Sequence, residues 1–148
     1  MNQEMLSKNF ALREFTRSAT ANRFEIYNLP SREARENLTL LCEKVLQPIR
    51  DKWGKPIHVS SGYRCPTLNK LVGGVSNSDH IYGCAADITT MEDTPKENAK
   101  LFALILEMWN NGEIPLLKQC INEYGYNWLH VSYQDGRSTK RGQFISLP

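Results

Sequence analysis

Residues 78–87 read Ser-Asp-His-Ile-Tyr-Gly-Cys-Ala-Ala-Asp, and this segment places a carboxylate seven residues after one of the three histidines of the chain. Gly83 and the two alanines after it have little or no side chain, so they permit close backbone packing. A turn through Gly83 can therefore bring His80 beside Asp87. The short apolar run at 85–88, which contains that aspartate, is typical of a buried strand.

A second histidine lies in the later segment Trp-Leu-His-Val at residues 128–131. His130 alternates with two apolar residues, so on a strand its side chain points away from the apolar face. Two imidazoles and one carboxylate form the three-ligand set of a catalytic zinc site, whose fourth position stays open. The spacing alone leaves a metal site and ordinary surface or core residues both open. We interpret His58 as an ordinary strand residue.

The periodicity of apolar residues predicts helices around a small sheet. Ser31 can cap a helix over 32–53, whose apolar residues recur every three or four positions. Pro95 begins a second helix that ends before Gly112. Strands are predicted at 57–60, 85–88, 116–121 and 128–133, with a long irregular loop at 62–79. Helices flanking a small, largely antiparallel sheet predict the α+β class.

The length of 148 residues suits one domain with one core. We therefore predict a single domain over 1–148, with residues 134–148 as a C-terminal tail. Residues 1–30 form an N-terminal segment that we expect to pack on this domain through Phe10, Leu12 and Phe15.

Composition excludes several classes of protein. Hydrophobic residues make up 41% and charged residues 23%, and the net charge is +2, which is the ordinary globular range. The positive charge is weak and no run of Lys and Arg exceeds two residues, so we expect no nucleic-acid partner. No stretch approaches the roughly 18 apolar residues of a membrane helix, so we expect no membrane insertion. The four cysteines lack a Cys-x-x-Cys pair, which argues against a thiolate zinc site, and a Cys65–Cys84 bridge stays open.

Several segments, taken in order along the chain, resemble one known family. They are Ser-Ser-Gly-Tyr-Arg-Cys-Pro-Thr-Leu-Asn at 60–69, Val-Gly-Gly at 72–74, the segment at 78–87, Ile88, and Trp-Leu-His-Val-Ser at 128–132. Together they resemble the zinc D-alanyl-D-alanine carboxypeptidases, a family that includes the L-alanyl-D-glutamate endopeptidases of bacteriophage lysins. The hedgehog signalling domain shares its metal-binding fold. The resemblance extends from about Phe10 to Tyr133.

This resemblance implies one zinc ion per chain and peptide stems of peptidoglycan as substrate. The implied metal ligands are His80, Asp87 and His130. The resemblance also implies that Arg64 contacts the substrate near the scissile bond and helps to stabilise the oxyanion, and that Ser78 lies near the substrate. Tyr63 is a further candidate for lining the substrate groove. The alternatives are that Arg64 pairs with a structural acid and that Ser78 bonds its own backbone in a turn.

The general base is less clearly marked. Many relatives carry an acid three residues before the last histidine, where this chain has Asn127, which cannot accept a proton usefully at neutral pH. Some branches carry a glutamate further upstream, which implies Glu123 as the base. Gly125 permits a turn that would fold this glutamate toward the metal. A plain surface carboxylate is the alternative.

The sequence thus predicts a monomeric zinc metallopeptidase, either a carboxypeptidase or an endopeptidase, in a phage or prophage lysin. A catalytically inactive zinc-containing module that binds peptidoglycan or a protein partner is the alternative, and a phage adhesion domain is a third. The first residues lack a basic region followed by an apolar one. We therefore expect synthesis in the cytoplasm and action on the cell wall after release or export.

Overall fold

Five strands form the sheet around which the chain is organised. The structure is a computed structural model that describes residues 3–148, so residues 1 and 2 of the predicted N-terminal segment lie outside it. The strands are β1 (Ile57–Ser61), β2 (Ala85–Thr90), β3 (Leu117–Glu123), β4 (Trp128–Tyr133) and β5 (Gln143–Leu147). Their order is β1-β2-β4-β3-β5. All neighbours are antiparallel except β3 and β5. The predicted α+β class with a largely antiparallel sheet is confirmed.

The helices flank this sheet and begin at the residues that the sequence marks. They are α1 (Leu12–Thr16), α2 (Ala19–Arg23), α3 (Arg32–Leu41), α4 (Gln47–Trp53), α5 (Pro66–Leu71) and α6 (Pro95–Asn110). The side chain of Ser31 accepts a hydrogen bond from the Ala34 amide at the start of α3. Thr94 caps α6 in the same way through the Glu97 amide. Each cap satisfies a backbone N–H that the helix itself leaves free.

The helix predicted over 32–53 contains an irregularity that the sequence analysis did not predict. Between α3 and α4, residues Cys42–Leu46 form a π-helical turn. Pro48 lies two residues after the end of this turn, and a proline both lacks an N–H and crowds the carbonyl four residues earlier. The wider turn accommodates that conflict without ending the helix.

One hydrophobic core lies between the helices and the sheet. The apolar stripe of the long helical segment is fully buried, with no exposed surface at Leu38, Leu41, Val45 and Ile49. These side chains share the core with apolar residues of β2, β4 and α6. Because Asp87 and His130 alternate with buried residues of β2 and β4, the core fixes which way those strands face.

The N-terminal segment holds the loop that follows β1. The Tyr63 amide donates to the carbonyl of Phe15 at 2.7 Å. Asn28 donates its side-chain amide to the carbonyls of Thr16 and Tyr63 and accepts from the Cys65 amide at 2.8 Å. The backbone of residues 63–65 is therefore positioned by the first thirty residues.

The segment predicted as a C-terminal tail contains β5, which the sequence analysis did not predict. This strand pairs in parallel with β3 at the edge of the sheet. Its residues are only partly buried or exposed, so it lacks the apolar alternation by which a strand is recognised in sequence.

The remaining sequence expectations concern thiols and membranes. Cys42, Cys65, Cys84 and Cys120 are free, so the structure contains no Cys65–Cys84 bridge. Burial raises the pKa of the Cys84 thiol to about 12. Across residues 3–148, no helix has both the length and the apolar character needed to cross a membrane.

Candidate metal centre and substrate groove

Three predicted ligands meet on one face of the sheet. Asp87 and His130 are direct partners on the antiparallel strands β2 and β4, and residues paired in this way project on the same face. His80 comes from the series of turns that leads into β2. Each of the three residues contributes one potential ligand atom, and these three atoms lie within 4.8 Å of one another.

The carboxylate of Asp87 lies between the two imidazoles. Its Oδ1 atom is 3.4 Å from Nε2 of His80 and 3.2 Å from Nδ1 of His130. Burial by itself raises the pKa of Asp87, but the interactions and hydrogen bonds of its carboxylate with the imidazoles of His80 and His130 outweigh burial and hold that pKa well below its usual range. The carboxyl group is therefore ionised, as a metal ligand must be.

His80 is oriented by the backbone of the neighbouring loop. Its ring is buried, with 2% of the residue exposed, and its Nδ1 atom lies 2.6 Å from the carbonyl oxygen of Gly62. A carbonyl only accepts hydrogen bonds, so Nδ1 carries a proton, and Nε2 is the ring nitrogen that faces Asp87 and can bind a metal. Metal-binding histidines commonly donate their other ring N–H to a carbonyl or carboxylate in this way, which fixes the tautomer and the orientation of the ring.

The donor set fits zinc. Two imidazole nitrogens and one carboxylate oxygen within a few ångströms of each other are the protein ligands of many catalytic zinc sites. The ligands lie at a groove of about 650 Å³ that contacts all three of them. The groove leaves room on the open side of the ligand set for water and a substrate.

Two charged residues border the same groove. Glu123 ends β3, and its Oε2 atom accepts a hydrogen bond from the indole N–H of Trp128 at 3.0 Å. Arg64 is half-buried and follows β1. Burial lowers the pKa of Arg64, while the nearby carboxylates of Asp87 and Glu123 oppose that shift. The groove therefore combines an anchored carboxylate with a desolvated guanidinium.

A charged cluster anchors the turn that carries His80. Both oxygens of Asp79 accept hydrogen bonds from Lys118 of β3, at 2.9 and 3.0 Å. Arg137 donates to the same carboxylate at 2.7 Å, and its guanidinium lies 3.8 Å from the ring centroid of Tyr82. The side chains of Asp79 and Lys118 are only 10% and 11% exposed. Residues from three separate segments thus fix the position of the ligand turn.

The comparison with known families agrees with this geometry. The family model described as Peptidase M15 matches residues 8–124, which is most of the chain. The chain belongs to the peptidase M15 family. A zinc D-Ala-D-Ala carboxypeptidase of Streptomyces albus G is 50% identical over 56 residues, which is 37% of this chain and 22% of that protein. The chain is thus similar to a limited part of that larger relative.

The M15 match ends before the last predicted ligand. It covers His80 and Asp87 but stops at Tyr124. His130 joins the other two through the register of β2 and β4, in which it is the direct partner of Asp87. The structure therefore brings all three predicted ligands together, one of them outside the matched residues.

The two candidate positions for a general base lie in different surroundings. Asn127 is exposed, and its backbone carbonyl accepts a hydrogen bond from the side-chain amide of Asn98 at 3.4 Å. It does not border the groove, whereas Glu123 does. The role of Glu123 as base stays a prediction, and its position in the groove is compatible with it.

The two other predicted substrate residues differ in their access to the groove. Ser78 borders it, and its hydroxyl also accepts a hydrogen bond from the His80 amide at 3.2 Å. Tyr63 is 7% exposed, belongs to the core and borders a neighbouring cavity instead of this groove. Their substrate roles stay predictions.

Three residues of the site were not predicted from the sequence. Lys118 and Arg137 anchor the ligand turn, and Leu147 of β5 borders the groove. The two leucines that directly precede Lys118 were the available signal, because they mark the start of a buried strand and a buried lysine requires a charged partner. Nothing in the local sequence marks the other two.

Proposed function

We propose that this chain is a zinc-dependent peptidase that hydrolyses peptide bonds in bacterial cell-wall peptidoglycan. The observation that carries the proposal is the position of His80, Asp87 and His130 at a groove that Glu123 and Arg64 also border. Membership of the M15 family supports the peptidase activity. The Streptomyces relative is a zinc D-Ala-D-Ala carboxypeptidase, and this similarity supports zinc as the metal and a peptidoglycan peptide as the substrate.

The three ligands would hold zinc through Nε2 of His80, a carboxylate oxygen of Asp87 and a ring nitrogen of His130. Zinc bound there supplies Lewis acidity, which polarises a carbonyl and acidifies water. The Gly62 carbonyl keeps the His80 imidazole in the orientation that binding requires.

Glu123 and Arg64 carry the remaining chemistry in this proposal. The Glu123 carboxylate accepts the proton of the attacking water and returns it to the leaving nitrogen. Its hydrogen bond from Trp128 occupies Oε2, which leaves Oε1 for that transfer. The guanidinium of Arg64 stabilises the negative charge that develops on the scissile carbonyl oxygen. All these groups come from one chain, so we propose that a monomer suffices.

The proposed setting is the cell wall, reached after release or export, as in a phage or prophage lysin. The bond is either that of a D,D-carboxypeptidase or that of an L-alanyl-D-glutamate endopeptidase. These two activities release different fragments, namely a single D-alanine or a longer peptide. The products therefore decide between them.

The test is digestion of purified sacculi by the zinc-loaded protein, followed by mass analysis of the released fragments. The expected result is release of stem-peptide fragments by the wild type and a decrease of about 10²–10⁴-fold in Glu123→Gln, the typical contribution of general acid–base catalysis. The matched control is Glu107→Gln, which changes an exposed glutamate of α6 and should retain full activity.

Two outcomes would contradict parts of the proposal. Full activity in Glu123→Gln would exclude this residue as the base. Binding to sacculi without release of any fragment by the wild type would instead favour the non-catalytic zinc-containing module.

A further inference from the structure

A second cavity lies directly beside the groove. Its volume is about 330 Å³, and it is lined by residues 17–20, which lead from the end of α1 into α2, by the segment 60–64, and by Leu68 and Val72. Arg64 and Val72 border both this cavity and the groove. A ligand that lies across the metal ligands can therefore extend past Arg64 into the second cavity.

The lining of this cavity is suited to an anion. It contains two arginines and no Asp or Glu, and four of its other residues carry aliphatic hydroxyls: Ser18, Thr20, Ser60 and Ser61. A guanidinium presents five N–H donors and recognises carboxylates with two parallel hydrogen bonds. The Ser60 hydroxyl already donates to the Asp87 carbonyl at 3.2 Å, so the hydroxyls of Thr20 and Ser61 are the ones that can complete the coordination of the carboxylate oxygens.

Both arginines have guanidinium N–H groups that are available to a ligand. Arg17 is exposed and uses one guanidinium nitrogen to donate to the Val59 carbonyl at 3.2 Å. The Nε atom of Arg64 is buried and has no hydrogen-bond partner among residues 3–148. A buried donor without a partner costs free energy, and a bound carboxylate is a group that either arginine could recognise.

The cavity and the groove differ in their charged residues. Arg64, Asp87 and Glu123 border the groove, where the proposed function gives them the metal, the attacking water and the scissile carbonyl as partners. The second cavity offers two positive side chains and no acid. We propose that it is a subsite for a carboxylate of the peptide substrate, with Arg17 as a specificity-determining residue. This inference rests on the proposed peptidase function and adds that the preferred substrates are acidic peptides.

The test compares substrates that differ in one group. The probes are a synthetic peptidoglycan stem peptide and otherwise identical peptides in which one carboxylate at a time is a carboxamide. The variants are Arg17→Gln, Arg17→Lys and the control Arg13→Gln, which changes an exposed arginine one turn earlier that borders neither cavity. Both kinetics and equilibrium binding are measured with the zinc-loaded protein.

For Arg17→Gln we expect KM for the carboxylate peptide to rise about 3- to 30-fold while kcat changes less than about twofold. That range lies between an exposed ion pair and a charged hydrogen bond. One particular carboxamide peptide should abolish the difference between wild type and variant. Arg17→Lys should recover part of the loss because it retains the charge, and Arg13→Gln should behave as wild type.

A second variant covers the case in which loss of the Arg17–Val59 contact disturbs the fold. Thr20→Asp leaves Arg17 in place and adds a competing carboxylate to the cavity, so it should raise KM for the same peptide. Cleavage with unchanged KM in both Arg17→Gln and Thr20→Asp would overturn the subsite and leave the peptidase proposal standing. If the wild type cleaves no peptide, the peptidase proposal fails. The subsite then stands only if binding of the carboxylate peptide still depends on Arg17, and it falls otherwise.

Discussion

Replacing Lys118 by methionine removes the buried cation that holds the ligand turn. Lys118 donates to both oxygens of Asp79 at 2.9 and 3.0 Å, and the two side chains are 11% and 10% exposed. Removing one partner of a fully buried pair costs about 3–5 kcal/mol, because a charge is left without compensation. Arg137 remains on Asp79, so we expect a smaller loss of about 1–3 kcal/mol in the free energy of unfolding.

The same substitution should also weaken metal binding. Asp79 immediately precedes His80, and its backbone carbonyl accepts from the Cys84 amide that closes the turn at 3.0 Å. Residues that are not metal ligands themselves but hold the ligands in position typically contribute 10- to 100-fold to metal affinity. Because Lys118 acts on His80 only through this turn, we expect a loss of about tenfold in zinc affinity.

Urea unfolding of the zinc-free protein measures the first effect, and chelator competition for zinc measures the second. Zinc must be absent from the first assay because a bound ligand adds its own stabilisation. Lys100→Met is the control, since Lys100 is 56% exposed and an exposed ion pair such as the one it forms with Glu97 contributes little to stability. Asp79→Asn added to Lys118→Met should recover part of the lost stability. Unchanged zinc affinity in a destabilised Lys118→Met would refute the positioning role.

Three further predictions concern other parts of the account. Gly83→Ala should lower the free energy of unfolding in urea by about 3 kcal/mol or more, because Gly83 has φ +75° and a Cβ there would overlap the Ala34 carbonyl. The control Gly112→Ala has a similar φ but open space around the new Cβ, so it should cost only about 1 kcal/mol; equal losses in the two variants would contradict the steric argument. Arg64→Ala should retain zinc while cleavage of wall peptides falls about 100-fold, whereas loss of zinc or of the fold would make Arg64 structural. Iodoacetamide should alkylate half-buried Cys65 first in the native protein and leave buried Cys42, Cys84 and Cys120 unmodified, since burial raises the pKa of these last three thiols. Mass spectrometry of the labelled peptides measures this, and labelling of Cys120 as fast as Cys65 would contradict it.

The parts of the fold that follow from local pattern could be predicted from sequence. The stripe of α3 and α4, the caps Ser31 and Thr94, and strands β1, β2 and β4 all have a periodicity or a terminal signal within a few residues. The metal ligands could be predicted because the segments that carry them resemble those of a known zinc peptidase family, whereas their spacing and the strand alternation around His130 alone left a metal site and ordinary residues both open. The structure places these three residues together as expected.

The features that depend on pairing between distant segments could not be predicted. β5 exists because β3 offers it a free edge, and its own residues carry little apolar pattern. The contact between Asp79 and Lys118 joins residues 39 positions apart, so it depends on the register of the sheet. The same holds for Glu123, whose access to the groove follows from the β3–β4 hairpin in which it pairs with Trp128.

The most direct test of the central claim is a zinc titration of the metal-free protein, with cleavage of a peptidoglycan stem peptide as the readout. If His80, Asp87 and His130 form one catalytic zinc site, the rate should rise linearly and break at about one equivalent of zinc per chain. The His80→Ala variant should show no rise at the same concentrations. A rate that does not depend on added zinc, or an equal response in His80→Ala, would contradict the claim that these three residues hold the catalytic metal.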